Sequence, residues 1–581
     1  MGKIVICSKK EDYLSINENF LEFKENFHFK LTNMYVNAFD KLRIHVDNYA
    51  VRDNGFIIGV GTYIYKNNIG QKALINIFED IDYNIENIQR KILGSYCIMI
   101  YKGDKAVVFV DPSSIYNIYF YLDNNRLVLT NTFYHIAKCI GAKPSKIKFM
   151  NYWIKKSVLE NKPFFEGVNK LCGDKYLLYT NERWELRQLK ETAKEKSQDI
   201  FSIVKEKYSS LPVIFNKTSV FMTGGQDSRM TLALMLHLGM KPTLYYGEGN
   251  SNDTATREDD KKIVKLIAEK FNLPFVLMNW RDSDKTNKKY YIDKYGEMFN
   301  LYYMNKNIFK EFEDKIDTEL LCFGYFGEVY RTIESIETYD KEHFTLDQYI
   351  DDLYVSDFKM LFKDHFYKEI HEQLKSELQK YCSINKIDEM SISKDDFQKL
   401  NTVYRQTWDT DMDNFANQFF YTFPLFGNID LIEYAENLPY SERYNSVFQM
   451  KIIEKLCPGI MDVPFFSHMK VKKYNHKTNE LVDAQLSSKL KDSIRSKIKS
   501  KELMKFARYV YYLIRRDHKA LNETKMELNN KLEELNALSQ LAYSDELDFE
   551  GGYNTFSSRD AKDYSNLFYL IEYIEECRKA K

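Results

Sequence analysis

The apolar positions of the chain change rhythm near Lys190. Before it they come as short runs rich in β-branched and aromatic residues, the pattern of strands. Phe56 to Tyr65 reads as a buried strand broken by glycines, and Tyr96–Tyr101 and Ala106–Val110 as two more across the turn Lys102-Gly103-Asp104-Lys105. Ile118–Tyr121 and Arg126–Thr130 flank Asp123-Asn124-Asn125, and Tyr176–Tyr179 and Trp184–Leu186 flank Asn181-Glu182, both hairpin patterns. After Lys190 short apolar strands alternate with amphipathic helices: strand Ser219–Met222, helix Ser228–Leu238, strand Thr243–Tyr246, helix Asp260–Phe271, strand Phe275–Met278. That alternation predicts a parallel sheet covered by helices. From about Ile308 the pattern reads as largely helical to the end. Lys489–Lys519 is basic, with Phe506, Tyr509, Tyr511 and Tyr512 interleaved. It is either a solvated helix face over a packed side or a surface for an acidic or peptide partner.

Composition narrows the class. The 581 residues are 44% hydrophobic and 29% charged, globular proportions that exclude a disordered or fibrous chain. With a net charge of −1, no bulk field recruits nucleic acid or an anionic membrane. Gly 22 and Pro 10 are low for the length, which argues against a propeller or a collagen-like repeat. The excess of Tyr and Phe reads as nucleotide-composition bias. Eight cysteines without a C-x-x-C pair give neither a zinc site nor a disulfide framework, and fit a reducing, cytoplasmic setting. No apolar run is long enough for a membrane span or a signal peptide.

One segment carries chemistry. Thr223-Gly224-Gly225-Gln226-Asp227-Ser228 follows an apolar strand and opens a helix. Glycines let the backbone turn tightly with N–H groups inward, and the helix start adds partial positive charge, a seat for phosphate or pyrophosphate. Asp227 adds a hard oxygen ligand for Mg²⁺. No Gly-Lys-Ser/Thr follows, so the segment is not a Walker A loop.

Thr223–Ser228 resembles the Ser-Gly-Gly-x-Asp-Ser pyrophosphate loop of the asparagine synthetase family, with Thr for the leading Ser. Thr243–Gly247 is similar to that family's second strand, whose backbone holds adenine, and Asp260–Ala268 to the helix after it. Gly324-Tyr325-Phe326-Gly327-Glu328 resembles its Gly-x-Gly-x-Asp loop, with Phe326 in place of the second Gly and Glu328 in place of a metal-binding Asp. Asp411–Pro464 looks like its helical segment, and Lys470-Val471-Lys472 falls where it has Arg-x-Lys. Leu93-Gly94-Ser95-Tyr96, Asp111-Pro112 and Tyr119-Phe120-Tyr121 resemble its glutaminase domain, so the resemblance covers residues 55–475. It implies ATP bound over Thr223, Gly224, Gly225, Asp227, Ser228 and Gly247, and Mg²⁺ between Asp227 and Glu328. It also implies Lys472 steadying the adenylate.

The expected architecture is α/β and α+β in two domains. Residues 1–190 form a degenerate glutaminase-like β-sandwich of the Ntn type, and 191–480 an ATP-pyrophosphatase domain with an adenine-nucleotide α-hydrolase-like parallel sheet. Residues 481–581 are a helical, partly basic extension. A glutaminase of that type needs a Cys whose own α-amine is the base. Position 2 is Gly2 and the nearest thiol, Cys7, ends Ile4-Val5-Ile6, which looks like a buried strand. Loss of ammonia production is therefore expected, barring removal of a leader that exposes Cys7. β-lactam synthetases and lasso-peptide cyclases share that condition and use an amine of the substrate. Tyr325 matches the Tyr that the β-lactam synthetases pair with a carboxylate as base, for which Asp409, Asp411 and Asp413 are candidates. The expected activity is AMP-forming carbon–nitrogen ligation of a small-molecule or peptide substrate, with a peptide or protein partner possible at the C-terminal helices. An ammonia-using or partner-fed amidotransferase and an inactive nucleotide- or peptide-binding descendant are the alternatives. A tRNA-modifying pyrophosphatase fits neither the net charge nor the front domain.

Overall fold

The computed structural model describes residues 2–82, 84–143, 145, 147–148, 163–189, 199–249, 254–280, 306–355, 364–408, 411–467, 470–477 and 480–484. The extension expected beyond residue 484, with its basic stretch, lies outside the described residues.

The N-terminal part contains two antiparallel sheets of six strands. The first runs in the order Asn169–Lys170, Tyr119–Asp123, Arg126–Thr130, Ile4–Cys7, Met34–Phe39, Glu25–Leu31. The second runs Arg183–Gln188, Lys175–Thr180, Lys105–Val110, Tyr96–Lys102, Gly55–Gly61, Tyr49–Arg52. Strand alternation sorts the side chains. Ile4, Ile6 and Val36 join Phe56, Ile58 and Met99 in one core between the sheets. Val5 and Cys7 face the other way, onto Tyr13 and Ile16 of helix Lys10–Asn17 and Phe133 and Ile136 of helix Phe133–Ile140. Helix Gln71–Asp80 lies against the second sheet, where a Cβ at Gly59 would strike Leu74 at 2.9 Å. The expected hairpins form, with Asn124, Asn125, Asn181 and Glu182 all at positive φ in their turns.

The later part holds a parallel sheet of five strands in the order Phe275–Trp280, Thr243–Gly249, Thr218–Phe221, Leu320–Cys322, Tyr421–Thr422. Helices Gln226–His237 and Thr254–Phe271 pack Met230, Leu234, Ile263 and Ile267 on one face, against Val220 and Leu244. Phe221, Tyr245 and Leu321 face the opposite way with Phe312 of helix Lys306–Asp314. From the central strand the chain crosses first to one side and later to the other, so strands Thr218–Phe221 and Leu320–Cys322 flank a topological switch point, where open α/β sheets place their ligands.

The largely helical reading beyond about Ile308 holds for most described elements, with short strands that it did not place. Leu320–Cys322 and Tyr421–Thr422 are strands of the parallel sheet, and Phe465–Ser467, Lys470–Asn475 and Glu480–Asp483 form a separate antiparallel sheet. Leu320–Cys322, Tyr421–Thr422 and Phe465–Ser467, with two or three residues each, carry no readable period, and of the other two Lys470–Asn475 is mostly polar and Glu480–Asp483 has only four residues. The last strand also runs through the expected boundary at 480/481. Among the described residues no helix is long and apolar enough to cross a membrane.

Candidate functional site

The turn after the central strand lies at the switch point. The Ser228 hydroxyl accepts the Thr223 N–H at 3.1 Å and donates to the Thr223 carbonyl at 3.0 Å, closing the turn on the first residues of the helix. The Gly224 N–H donates to Asp260 at 2.6 Å, and the Gly224 carbonyl accepts the Phe466 N–H at 2.8 Å. Neither glycine takes a positive φ. Gly224 is small for another reason: a Cβ there would meet Asp260 Oδ1 at 2.8 Å and Phe466 Cβ at 2.9 Å. The expectation of inward N–H groups is corrected accordingly, because Asp260 takes that of Gly224 and the Thr223 hydroxyl that of Gly225, at 3.2 Å. Asp260 also accepts the Tyr246 hydroxyl at 3.1 Å, tying the second strand and its helix to the turn. Gly247, one residue on, would drive a Cβ into the Trp280 indole at 2.4 Å.

The loop after Leu320–Cys322 packs directly on this turn. A Cβ at Gly324 would lie 2.4 Å from the Ser228 nitrogen, and one at Gly327 2.7 Å from an Asp227 carboxylate oxygen. Phe326, where the resembled motif has its second glycine, is fully buried at φ +65°, left-handed backbone that a bulky residue rarely adopts. Glu328 is buried in the short 3₁₀ turn Gly327–Tyr330. Tyr325, half-buried, stacks on Phe323 at 5.4 Å.

Asp227 is held by residues the sequence reading missed. Arg331 donates Nε–H to Oδ1 at 3.3 Å and an NH2 proton to Oδ2 at 3.0 Å, and the Gln449 amide donates to Oδ1 at 2.7 Å. Burial alone would lower the Arg331 guanidinium, but the Asp227, Glu328 and Glu337 carboxylates outweigh it and hold it above its ordinary range. A short-range sequence signal for either contact does not exist, since 104 and 222 residues separate the partners.

Arg229, also missed, fixes the lysine hairpin to the turn. Fully buried, it donates to the carbonyls of Val463 at 2.7 Å, Pro464 at 2.6 Å and Ile460 at 3.3 Å, and stacks 3.6 Å over Phe465. Burial lowers it to about 9, with Asp260 opposing. Lys472 lies half-buried on the middle strand of that antiparallel sheet, opposite Phe465 and Asp483. Lys470 is exposed and pairs with Asp483 at 3.3 Å.

The remaining candidates divide. Asp411 opens helix Asp411–Asn417, its side chain outside the described residues, as is Asp409. Asp413 is fully buried and accepts the Thr422 hydroxyl at 3.0 Å; burial, against that bond, keeps its carboxyl far above the usual carboxylate range. A base that must be charged does not suit that place. Cys7 is fully buried, and burial with Cys139 and Asp12 nearby pushes its thiol up. A Cβ at Gly2 would meet the Asp40 carbonyl at 2.5 Å and the Phe23 ring at 2.7 Å. Gly94, at φ +126°, backs onto the Thr62 carbonyl, and Asp111 accepts the Ile115 and Tyr116 N–H groups at 2.9 and 2.8 Å. These two have architectural work.

Among the described residues no group of three His, Cys, Asp or Glu side chains is set to hold a metal. Asp227 and Glu328 are hard carboxylate ligands by chemistry but fall short of an all-protein cage.

The glycine turn and its acid thus stand at the switch point of the parallel sheet, where open α/β sheets take their ligands. No protein-family model and no curated protein matches the sequence. Among solved structures, a glutamine phosphoribosylpyrophosphate amidotransferase from B. subtilis complexed with ADP and GMP aligns at 9% identity and TM-score 0.23, over 48% of this chain and 65% of that one. The chain thus spans under two thirds of that protein's length. The structure of the allosteric regulatory enzyme of purine biosynthesis aligns at 9% identity and TM-score 0.22, over 58% and 76%. At those scores the likeness assigns neither fold nor activity.

Proposed function

We propose that the protein is an ATP-dependent, AMP-forming carbon–nitrogen ligase of the asparagine synthetase type, lacking glutaminase activity. The observation that carries this reading is one convergence: the turn Thr223–Ser228, the acidic loop Gly324–Glu328 and the hairpin bearing Lys472 meet at one end of the parallel sheet, joined by Phe466 to Gly224 and by Arg331 and Gln449 to Asp227.

In this reading ATP lies with its phosphates over the turn and its adenine beside Gly247. Asp227 and Glu328 would hold Mg²⁺, which supplies charge neutralisation on the phosphates. A substrate carboxylate oxygen attacks the α-phosphorus, the bond to the β-phosphate oxygen breaks, and pyrophosphate leaves. The amine then attacks the acyl carbon, AMP departs, and a base near Tyr325 takes the amine proton. Lys472 steadies the negative charge that develops on the acyl oxygen. The chain contributes chiefly position and fixed charge.

The test is pyrophosphate release with ATP and panels of carboxylate and amine substrates, ammonium included. Asp227→Ala is expected to abolish release; near-normal release removes the site. Lys472→Ala is expected to bind ATP normally but to slow amide formation about 100-fold or more. Weakened ATP binding alone would take away its role. Turnover with ammonium only would favour the amidotransferase alternative, and glutamine hydrolysis by the purified chain would contradict the lost glutaminase.

A further inference from the structure

We infer that Arg331 contacts the phosphates at this site and takes up the charge that builds on the leaving diphosphate; this rests on the ligase reading for what the site binds. The turn itself calls for a side-chain cation. The Gly224 N–H is spent on Asp260 at 2.6 Å and the Gly225 N–H on the Thr223 hydroxyl at 3.2 Å, so two backbone donors suited to a phosphate are turned to protein. Arg229 does not replace them. It is fully buried and donates to the carbonyls of Val463, Pro464 and Ile460. Arg331 is placed otherwise. Its Nε–H and an NH2 proton grip the two oxygens of Asp227, in the first turn of helix Gln226–His237, at 3.3 and 3.0 Å. The Arg331 and Asp227 side chains are 21% and 28% exposed, so a ligand can reach the pair from solvent.

A planar guanidinium that holds a carboxylate through Nε and one terminal nitrogen does so with a single edge. Its other edge, between the two terminal nitrogens, points away from Asp227, and there NH1 makes only a long contact of 3.4 Å to the Thr332 carbonyl. The anchor is firm, because fully buried Gln449 ties Asp227 at 2.7 Å to the Gly327 carbonyl at 3.0 Å. A donor fixed in this way needs no reorganisation when charge develops beside it. In adenylation that charge grows on the oxygen between the α- and β-phosphorus, which departs with the diphosphate. Two parallel N–H donors suit phosphate oxygens, where an ammonium offers one compact charge. AMP lacks the β- and γ-phosphates, so Arg331 matters to pyrophosphate and not to AMP. The competing account is a plain ion pair that fastens the acidic loop to the helix, and its loss affects every ligand alike.

Calorimetric titration of the full chain with inorganic pyrophosphate and with AMP, Mg²⁺ present in both, separates the two. Wild type is expected to bind both. In Arg331→Met, pyrophosphate should weaken about 10- to 100-fold while AMP stays within about twofold. Arg331→Gln replaces Arg331→Met if the latter loses its circular-dichroism signature. A second measurement needs no variant: phenylglyoxal, which labels guanidinium groups, should modify Arg331 of wild type at a rate that pyrophosphate lowers and AMP leaves unchanged, read by peptide mass spectrometry. A folded neutral variant that binds pyrophosphate as wild type does, or that loses pyrophosphate and AMP in equal measure, overturns the phosphate contact and leaves the ligase site standing. Labelling that pyrophosphate does not slow has the same meaning. If wild type binds neither pyrophosphate nor ATP, and releases no pyrophosphate with any substrate pair, the site reading falls and this inference with it.

Discussion

Gly324 and Gly225 make a sharp contrast between two glycines of one site. A methyl group on Gly324 would sit 2.4 Å from the Ser228 backbone nitrogen, which has nowhere to go without moving the turn. On Gly225 it would sit 3.1 Å from the Thr223 hydroxyl, which can rotate. Gly324→Ala should therefore cost about 2–3 kcal/mol of stability and most pyrophosphate release, whereas Gly225→Ala should leave the melting temperature nearly unchanged. Equal melting temperatures and equal activities in the two variants would show that the loops do not press together. Asp413 makes a second residue-scale case. Burial raises its folded carboxyl above the unfolded value, so the native state favours the protonated form. Its relative stabilisation is full below the unfolded value, about 3.9, and declines as pH rises from there towards the folded one. Asp413→Asn keeps an acceptor for Thr422 and removes the titration. Its gain in melting temperature over wild type should grow between pH 5 and pH 8; a gain that is flat or shrinks would place a charged carboxylate there.

At the scale of elements, one buried guanidinium joins helix Gln226–His237 to the carbonyls of Val463 and Pro464 and to the ring of Phe465, which opens the strand paired with Lys472. Lysine at position 229 keeps the charge but offers one compact ammonium to carbonyls spread over Ile460, Val463 and Pro464. Arg229→Lys should cost about 2–4 kcal/mol and let trypsin cut faster after Lys470, Lys472 and Lys473. Unchanged cleavage and melting would mean the hairpin is held by other contacts. The same elements mark where sequence reading works. Strand, turn and helix over Thr218–His237 are legible because an apolar run, two glycines and a long apolar helix follow in order. The hairpin is not legible: in Lys470–Asn475 only Val471 and Tyr474 are buried, and its two partners have three and four residues. Strand Glu25–Leu31 hides for the same reason, with Phe27 alone buried. Thr223, Asp227, Ser228 and Glu328 could be picked out as local motif chemistry. Arg331, Gln449 and Arg229 could not, because their meaning lies in partners far along the chain.

The whole molecule is locked through a small set of buried polar groups between the sandwich and the parallel sheet. Asn417, at the end of helix Asp411–Asn417, accepts the Thr62 hydroxyl at 2.9 Å and donates to Ser95 Oγ at 3.2 Å and to the Thr422 carbonyl at 3.1 Å. Thr62 Oγ1 in turn accepts the Thr422 N–H at 2.9 Å, and Ser95 donates to the Thr422 carbonyl at 3.1 Å. Asn414 reaches back to the Asn117 N–H and the Ile115 carbonyl at 2.7 and 2.8 Å. Thr422 belongs to the edge strand of the parallel sheet, and Thr62 and Ser95 to the sandwich, so one amide serves both halves. Removing it leaves several buried groups without their partner, each such loss costing about 1–3 kcal/mol. The half-exposed pairs of Arg90 with Asp430 and Glu433, at 3.1 and 2.8 Å, cannot offset that, since pairs of this kind contribute about 0–1 kcal/mol. Asn417→Ala should therefore separate the two halves on heating: near-ultraviolet and far-ultraviolet dichroism, coincident in wild type, should give distinct midpoints, the lower one at least several degrees below wild type. Arg90→Ala should keep a single transition. If Asn417→Ala also melts in one step at the wild-type midpoint, the remaining contacts couple the halves without it, and the Asn417 amide is incidental.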